Sequence, residues 1–314
     1  MWKPLGHVGA GLAYLATARS QHESDQLTAQ QLARPADRAF APGLSVTWFG
    51  TAGFRFAYEG TVVWIDPYLT RLPLGDLLRR KVVPPSMDSV SRWVDRADAV
   101  LVGHTHFDHA LDVPAISKLF GCNVYGSQSL QNLMGLHGLA ERAVVVVPHS
   151  MYEVGPFRFK FVPSVHSRLQ LGLRIPYSGE LTCEHLDEMT PQAYRCGQVY
   201  GLFVEVAGLR FYHQGSADLL EDEIRDRGVD VFLCGASGRR FTPKYLPRIL
   251  RALEPKLIVP THYDDFFVPL AAGGGPTKFS FNVNLTGFAD EVRDASRDVP
   301  IETLSVGAAC VTGS

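Results

Sequence analysis

Four side chains able to bind a metal ion fall within six residues, in His104-Thr105-His106-Phe107-Asp108-His109. They follow directly on an apolar run, Ala99-Val100-Leu101-Val102-Gly103, that reads as a buried strand. Imidazole suits zinc, iron, manganese and copper, and a neighbouring carboxylate suits metals used in hydrolysis. A turn has little structural use for three imidazoles and a carboxylate, so H-x-H-x-D-H behind a buried strand reads as a ligand pattern rather than polar surface. Single residues of the same kind recur after other predicted strands: Asp66, His166, His213 to Asp218, and His262. Each alone has an ordinary reading as a cap, a turn residue or a packed histidine. Their recurrence at strand ends, where backbone is rigid, argues for one shared site.

The elements that must position these residues begin at Leu44. Leu44 to Phe49, Phe54 to Tyr58 and Val62 to Ile65 alternate or are rich in β-formers, and Gly50-Thr51-Ala52-Gly53 and Glu59-Gly60 separate them. That is a β-meander delivering Asp66. Residues 70 to 87 read as a long loop, Asp88 to Asp95 as a short helix, and Pro114 to Phe120 and Ser127 to Leu136 as further helices. Ala143 to Val147 reads as a strand, and the alternation of Phe157 to Val162 predicts one that delivers His166. A hairpin across Ala207-Gly208 delivers His213. Leu219 to Arg227 reads as a helix, Val229 to Leu233 as a strand, Pro243 to Leu253 as a helix, and Lys256 to Val259 as the strand before His262. Two packed sheets with helices outside accommodate this order, an α+β architecture. A dinucleotide-binding parallel sheet does not, because no Gly-rich phosphate loop follows the first strand.

The chain has 314 residues, 46% of them hydrophobic and 20% charged, an ordinary enzyme composition with a sizeable core. A net charge of −2 gives no electrostatic case for nucleic acid as a partner. The five cysteines form no C-x-x-C, so a structural zinc site is not expected. Cys122 and Cys234 read as core thiols, and Cys183 and Cys196 could pair only if the protein were exported; reduced thiols and a cytoplasmic location are the default. The semi-apolar run Val8 to Ala18 reads as a weak helix or a degenerate export signal and is too short to span a bilayer. Residues 1–43 read as an appended arm or linker, and 44–314 as one catalytic domain. Membrane association is not expected, and a homo-oligomer is compatible with the sequence.

On these residues the chain resembles the metallo-β-lactamase-fold hydrolases from about residue 44 onward. The most specific match is His104-x-His106-x-Asp108-His109, supported by Asp66, His166 and His262. Thr51-Ala52-Gly53-Phe54 and Pro260-Thr261-His262-Tyr263 also resemble the branch of ascorbate-6-phosphate lactonase-like and N-acyl-phosphatidylethanolamine phospholipase D-like enzymes. The resemblance implies a four-layer αββα sandwich with one or two divalent metal ions at one edge, zinc before manganese or iron. It implies that His104, His106 and His166 hold the first ion, that Asp108, His109 and His262 hold the second, and that Asp66 supports them from behind. Such an ion pair can share a hydroxide that attacks a carbonyl or phosphorus, with Asp108 orienting it and shuttling its proton.

One departure stands out. The family places a bridging Asp in Gly-Asp-Thr after the hairpin, whereas this chain reads Gly215-Ser216-Ala217, with Asp218 two residues beyond the glycine's neighbour. Asp218 either swings inward to bridge or caps the helix expected from Leu219. The expected activity is cleavage of a small ester, lactone or phosphoester. The alternatives are a phospholipid-type phosphodiesterase, or a degenerate metal-binding member with little activity because serine replaces the bridging Asp. The segment Ser167 to Gly197 is expected to cover the site and set substrate choice, with Arg168, Arg174, Tyr177, Glu180 and His185 as candidate contacts.

Overall fold

Period-two alternation of phenylalanines decides where the strands put their weight. In Phe157-Arg158-Phe159-Lys160-Phe161 the three rings are fully buried, while Arg158 is exposed and Lys160 half-buried. The computed structural model describes residues 20–169, 172–271, 278–280 and 283–311. The Val8 to Ala18 run lies outside them.

In chain order, a helix over residues 20–31 (α1) precedes strands β1 (Ser45–Trp48), β2 (Phe54–Tyr58) and β3 (Thr61–Ile65). Helices α2 (Leu74–Leu78) and α3 (Met87–Trp93) lead to β4 (Ala99–Leu101), α4 (Phe107–Ala110), α5 (Val113–Phe120), β5 (Asn123–Gly126), α6 (Gln128–Leu136) and β6 (Ala143–Val145). Then come β7 (Tyr152–Val154), β8 (Phe157–Ser164), β9 (Val199–Val206), β10 (Leu209–Gln214), β11 (Val231–Gly235), α7 (Tyr245–Leu253), β12 (Ile258–Thr261), α8 (Leu285–Ala295) and β13 (Ala309–Cys310). Among the described residues these form two sheets, β13-β1-β2-β3-β4-β5-β6 and β12-β11-β10-β9-β8-β7.

The four layers follow from which face each strand presents. In β3, Val63 and Ile65 join the cluster between the sheets, while Val62 and Trp64 join a second cluster under α3, α5 and α6. A strand buried on both faces reads as a continuous apolar run, as this one does. Phe56 meets Phe211 edge-on at 5.1 Å and Tyr125 meets Phe159 at 5.0 Å, so rings from both sheets interdigitate. The inter-sheet cluster continues through β10, β11 and β12 to α7 and α8.

Strand direction places the chemistry. β3, β4, β5 and β6 run parallel. So do β10, β11 and β12, and β8 runs parallel to β10 because both are antiparallel to β9. Asp66, the histidine motif, His166, the Gly215 turn and His262 therefore all leave C-terminal strand ends.

Several elements differ from expectation. Leu219 to Arg227 is not an α-helix; it contains only a 3-10 turn, Glu221–Glu223. Its charges are engaged elsewhere, Glu221 by Arg248 and Arg251, Glu223 by His149, and Asp226 by Lys160. The loop of residues 70 to 87 contains α2, and α1, β5, β7, α8 and β13 are elements that the local patterns did not announce. The arm's helix lies on α8: the buried carboxylate of Asp25 accepts from Thr286 N at 2.8 Å and Thr286 Oγ1 at 2.9 Å. Among the described residues no helix is long and apolar enough to cross a membrane.

Candidate metal centre

The spacing of the histidine motif is the spacing of a strand end running into one helical turn. His104 leaves the strand, Thr105 is tied to the covering segment through Cys196 O (3.0 Å from Thr105 N), and His106 takes the extended position before α4. The single turn of α4 then sets Asp108 and His109 side by side facing inward. All four ligand-type residues are buried.

The structure brings them together in two groups. His104, His106 and His166 form one, Asp108, His109 and His262 the other, with the candidate ligand atoms of each within 4.8 Å of one another. Carbonyl oxygens only accept, so each contact to one fixes a tautomer. His106 Nε2 donates to Pro176 O at 2.9 Å and His166 Nδ1 donates to Ser167 O at 2.7 Å. Their other nitrogens are left as lone pairs, and His106 Nδ1 lies 3.1 Å from His104 Nε2. His109 Nδ1 donates to Asp66 Oδ2 at 2.9 Å, and Asp66 Oδ1 accepts from Gly103 N at 2.7 Å. His109 Nε2 thereby faces Asp108, 3.7 Å away. His262 Nε2 lies 3.2 Å from Asp108 Oδ2, and its buried Nδ1 has no hydrogen-bond partner. In His106, His166 and His109 one nitrogen is held by a carbonyl or a carboxylate and the other turns inward, the arrangement that orients metal-binding histidines. The donor set fits divalent ions.

Electrostatics divides the groups. Burial, reinforced by neighbouring imidazoles, pushes His104 well below its ordinary value; burial likewise brings His106 down to about 4 and His166 to about 3. These three are neutral at pH 7, the form that ligates. Burial opposes ionisation of Asp108, but His109, His262 and His106 hold its carboxyl well below the usual range. Burial also opposes a charge on His109, yet Asp66 and Asp108 raise it above its ordinary value.

The surrounding backbone is unusually constrained. Thr51, Asp66, Arg71, Tyr177 and His262 have φ between 43° and 58°. Such left-handed non-glycine residues cost about 1–3 kcal/mol each and persist where the surroundings over-determine them. His262 N is anchored on Thr51 O at 2.8 Å, and the buried His213 donates through Nε2 to Ala52 O at 2.9 Å. Behind this loop, a feature absent from the sequence reading, the buried Arg71 guanidinium pairs with Asp264 at 2.9 Å.

Asp218 is not brought to either group. Its Oδ1 accepts from Leu219 N at 2.9 Å and lies 3.9 Å from Arg248. Nor does it cap an α-helix, since none begins there. Ser216 Oγ accepts from Ser167 N at 3.0 Å at the cavity edge. Gly215 passes so close that a Cβ there would stand 3.0 Å from Asp66 Oδ2 and 3.1 Å from the His109 ring. Asp218→Ser is accordingly expected to match the parent in metal content by elemental analysis; a loss of one ion per chain would show that Asp218 turns inward.

His106 and His166 of the first group and Asp108 and His262 of the second floor one cavity of about 210 Å³. Its walls are Leu77, Phe107, Leu169, Tyr177, Phe266 and Phe267. Of the contacts expected from the covering segment only Tyr177 lines it; Arg168, Arg174, Glu180 and His185 are exposed and do not. That segment is tied down through Leu181 N to Ser129 Oγ, Val83 N to Met189 O, and Gln192 Nε2 to Leu77 O.

Residues 45–262 match the model of the beta-lactamase superfamily domain. The chain belongs to that family. Metallo-β-lactamase-fold relatives extend over most of its length. A UPF0173 metal-dependent hydrolase from Myxococcus xanthus is 28% identical over 272 residues, covering 84% of this chain and 85% of the relative. One from Thermus thermophilus is 28% identical over 232 residues, covering 71% and 85%. Among solved structures, the metallo hydrolase Igni18 from Ignicoccus hospitalis superposes with a TM-score of 0.54 at 17% identity, over 85% of this chain and 97% of that one. The diiron β-hydroxylase CmlA from Streptomyces venezuelae reaches 0.52 at 13%, over 85% and 53%. At such identities the two structures show a shared fold alone. The chain is a metal-dependent hydrolase with the αββα sandwich of its superfamily.

Proposed function

We propose that this hydrolase cleaves a small ester, lactone or phosphoester, with His104, His106 and His166 holding one divalent ion and Asp108, His109 and His262 a second. The observation that carries the reading is the pair of three-ligand groups, each with two members on the floor of one cavity. Divalent ions there supply Lewis acidity and lower the pKa of water. Asp108, ionised and facing the cavity, can accept a hydrogen bond from the attacking water and take its proton. Asp66 fixes the His109 tautomer, and the Pro176 and Ser167 carbonyls fix those of His106 and His166. Three neutral imidazoles suit zinc, with manganese or iron also accommodated.

The two sites are unequal. Asp66 and Asp108 raise the His109 pKa above its ordinary value, so this group competes with protons more than the all-histidine one does, and Ser216 offers no carboxylate between the groups. The expected result is one ion per chain that survives mild dialysis against a chelator and a second that is lost first, read by elemental analysis. Protein that stays metal-free after reconstitution with zinc, manganese or iron would sink the assignment.

A further inference from the structure

We propose that the cavity over the two ligand groups is a chamber for an apolar chain, so that the substrate is an uncharged ester or lactone bearing a short alkyl, acyl or aryl group. This rests on the hydrolytic reading of the same floor and adds what the walls select.

The walls converge from separate parts of the fold. Leu77 comes from α2, Phe107 from α4, Leu169 and Tyr177 from the covering segment, and Phe266 and Phe267 from the stretch after β12. The Phe266 and Phe267 rings lie 4.4 Å apart, and Phe266 meets the His262 ring edge-on at 5.6 Å, so apolar surface runs up to the ligand groups. Among the described residues that line the cavity, none is Lys or Arg. A phosphate or carboxylate on the non-reacting part of a substrate would lose its hydration there with no counter-charge, whereas an apolar chain gains by leaving water. An apolar cavity of about 150 Å³ takes a benzene-sized molecule. The 210 Å³ here takes a ring or a short chain beside the reacting group.

The test uses zinc-loaded protein. p-Nitrophenyl esters from acetate to octanoate, alkyl-substituted butyrolactones, p-nitrophenyl phosphate, bis-p-nitrophenyl phosphate and a carboxylate-bearing ester are compared by kcat/KM. The expected result is a rise of about three- to four-fold per added methylene until the chamber fills, with the phosphates and the charged ester below the neutral esters. Leu77→Glu, remote in sequence from every ligand, should flatten the chain-length dependence while metal content stays at the parent value. Binding of 1-hexanol, followed by saturation-transfer NMR and lost in Leu77→Glu, reads the chamber without turnover. No hexanol binding, no dependence on chain length, or a preference for the phosphates or the charged ester overturns the inference. Hexanol binding with no ester or lactone turned over supports the chamber and overturns the hydrolytic reading instead.

Discussion

Replacing His106 with alanine is expected to remove the tightly held ion and nearly all activity. The side chain has two jobs. It is one of three candidate ligands in the first group, and its Nε2 donates to Pro176 O at 2.9 Å, holding the covering segment next to Tyr177. Among the described residues that group has no fourth member. Losing Lewis-acid catalysis removes several kcal/mol of transition-state stabilisation, about a thousand-fold or more in kcat/KM. Asp108→Asn should behave differently. Asparagine keeps the shape but neither the charge nor the proton-accepting role, so the ion of the all-histidine group stays while kcat/KM falls by about 10²–10⁴. Metal analysis and kinetics on the same preparations separate the two. Equal and mild losses in both variants would mean that the motif is structural.

The second large effect is on stability. Arg71→Leu is expected to destabilise the fold by about 3–5 kcal/mol, because it strands the buried Asp264 carboxylate without its partner. The pair is almost entirely shielded from water, and Asp264 also accepts from Thr51 N at 2.6 Å while Arg71 donates to Phe49 O at 2.6 Å. Gly50 must lack a side chain because a Cβ there would collide with both partners. A buried ion pair is weak evidence for stability, but removing one half of it is costly. Urea unfolding should show the midpoint falling with an unchanged slope. Since His262 hangs on Thr51 O, the weaker ion's affinity should also fall, by about 10–100-fold. An unfolding midpoint within error of the parent would show that the pair is dispensable.

Much of this centre was legible in the chain because its ligands are close in sequence or end predicted strands. H-x-H-x-D-H is contiguous, and the alternation of β8 and the apolar run of β4 announce rigid supports for His166 and His104. The walls were not legible. Leu77, Phe107, Leu169 and Phe266 are ordinary apolar residues in four separate segments, and nothing local separates a cavity wall from core; closeness to the ligands, with Phe107 inside the motif, Leu169 three residues after His166 and Phe266 four after His262, is the signal that could have found three of them. The arginines of the covering segment misled for the complementary reason, since charge in a loop near a site does not say which way it points. Asp218 was ambiguous by type and position, and the structure gives it a third role, at the head of an irregular stretch. That stretch failed as a helix because ion pairs to β8, α7 and His149 outweigh local propensity, a tertiary effect that sequence periodicity does not carry.

The ligands and the walls belong to different parts of the chain, the former mostly to strand ends locked by the two sheets, the latter mostly to α2, the covering segment and the stretch after β12. A lineage carrying this fold can therefore exchange wall residues one at a time without moving a ligand or losing the ion. Each exchange would retune what enters while the reactive floor persists. Relatives at 28% identity can share this centre and still differ in diet, and a substrate found for one of them should be carried to another only when the wall positions match.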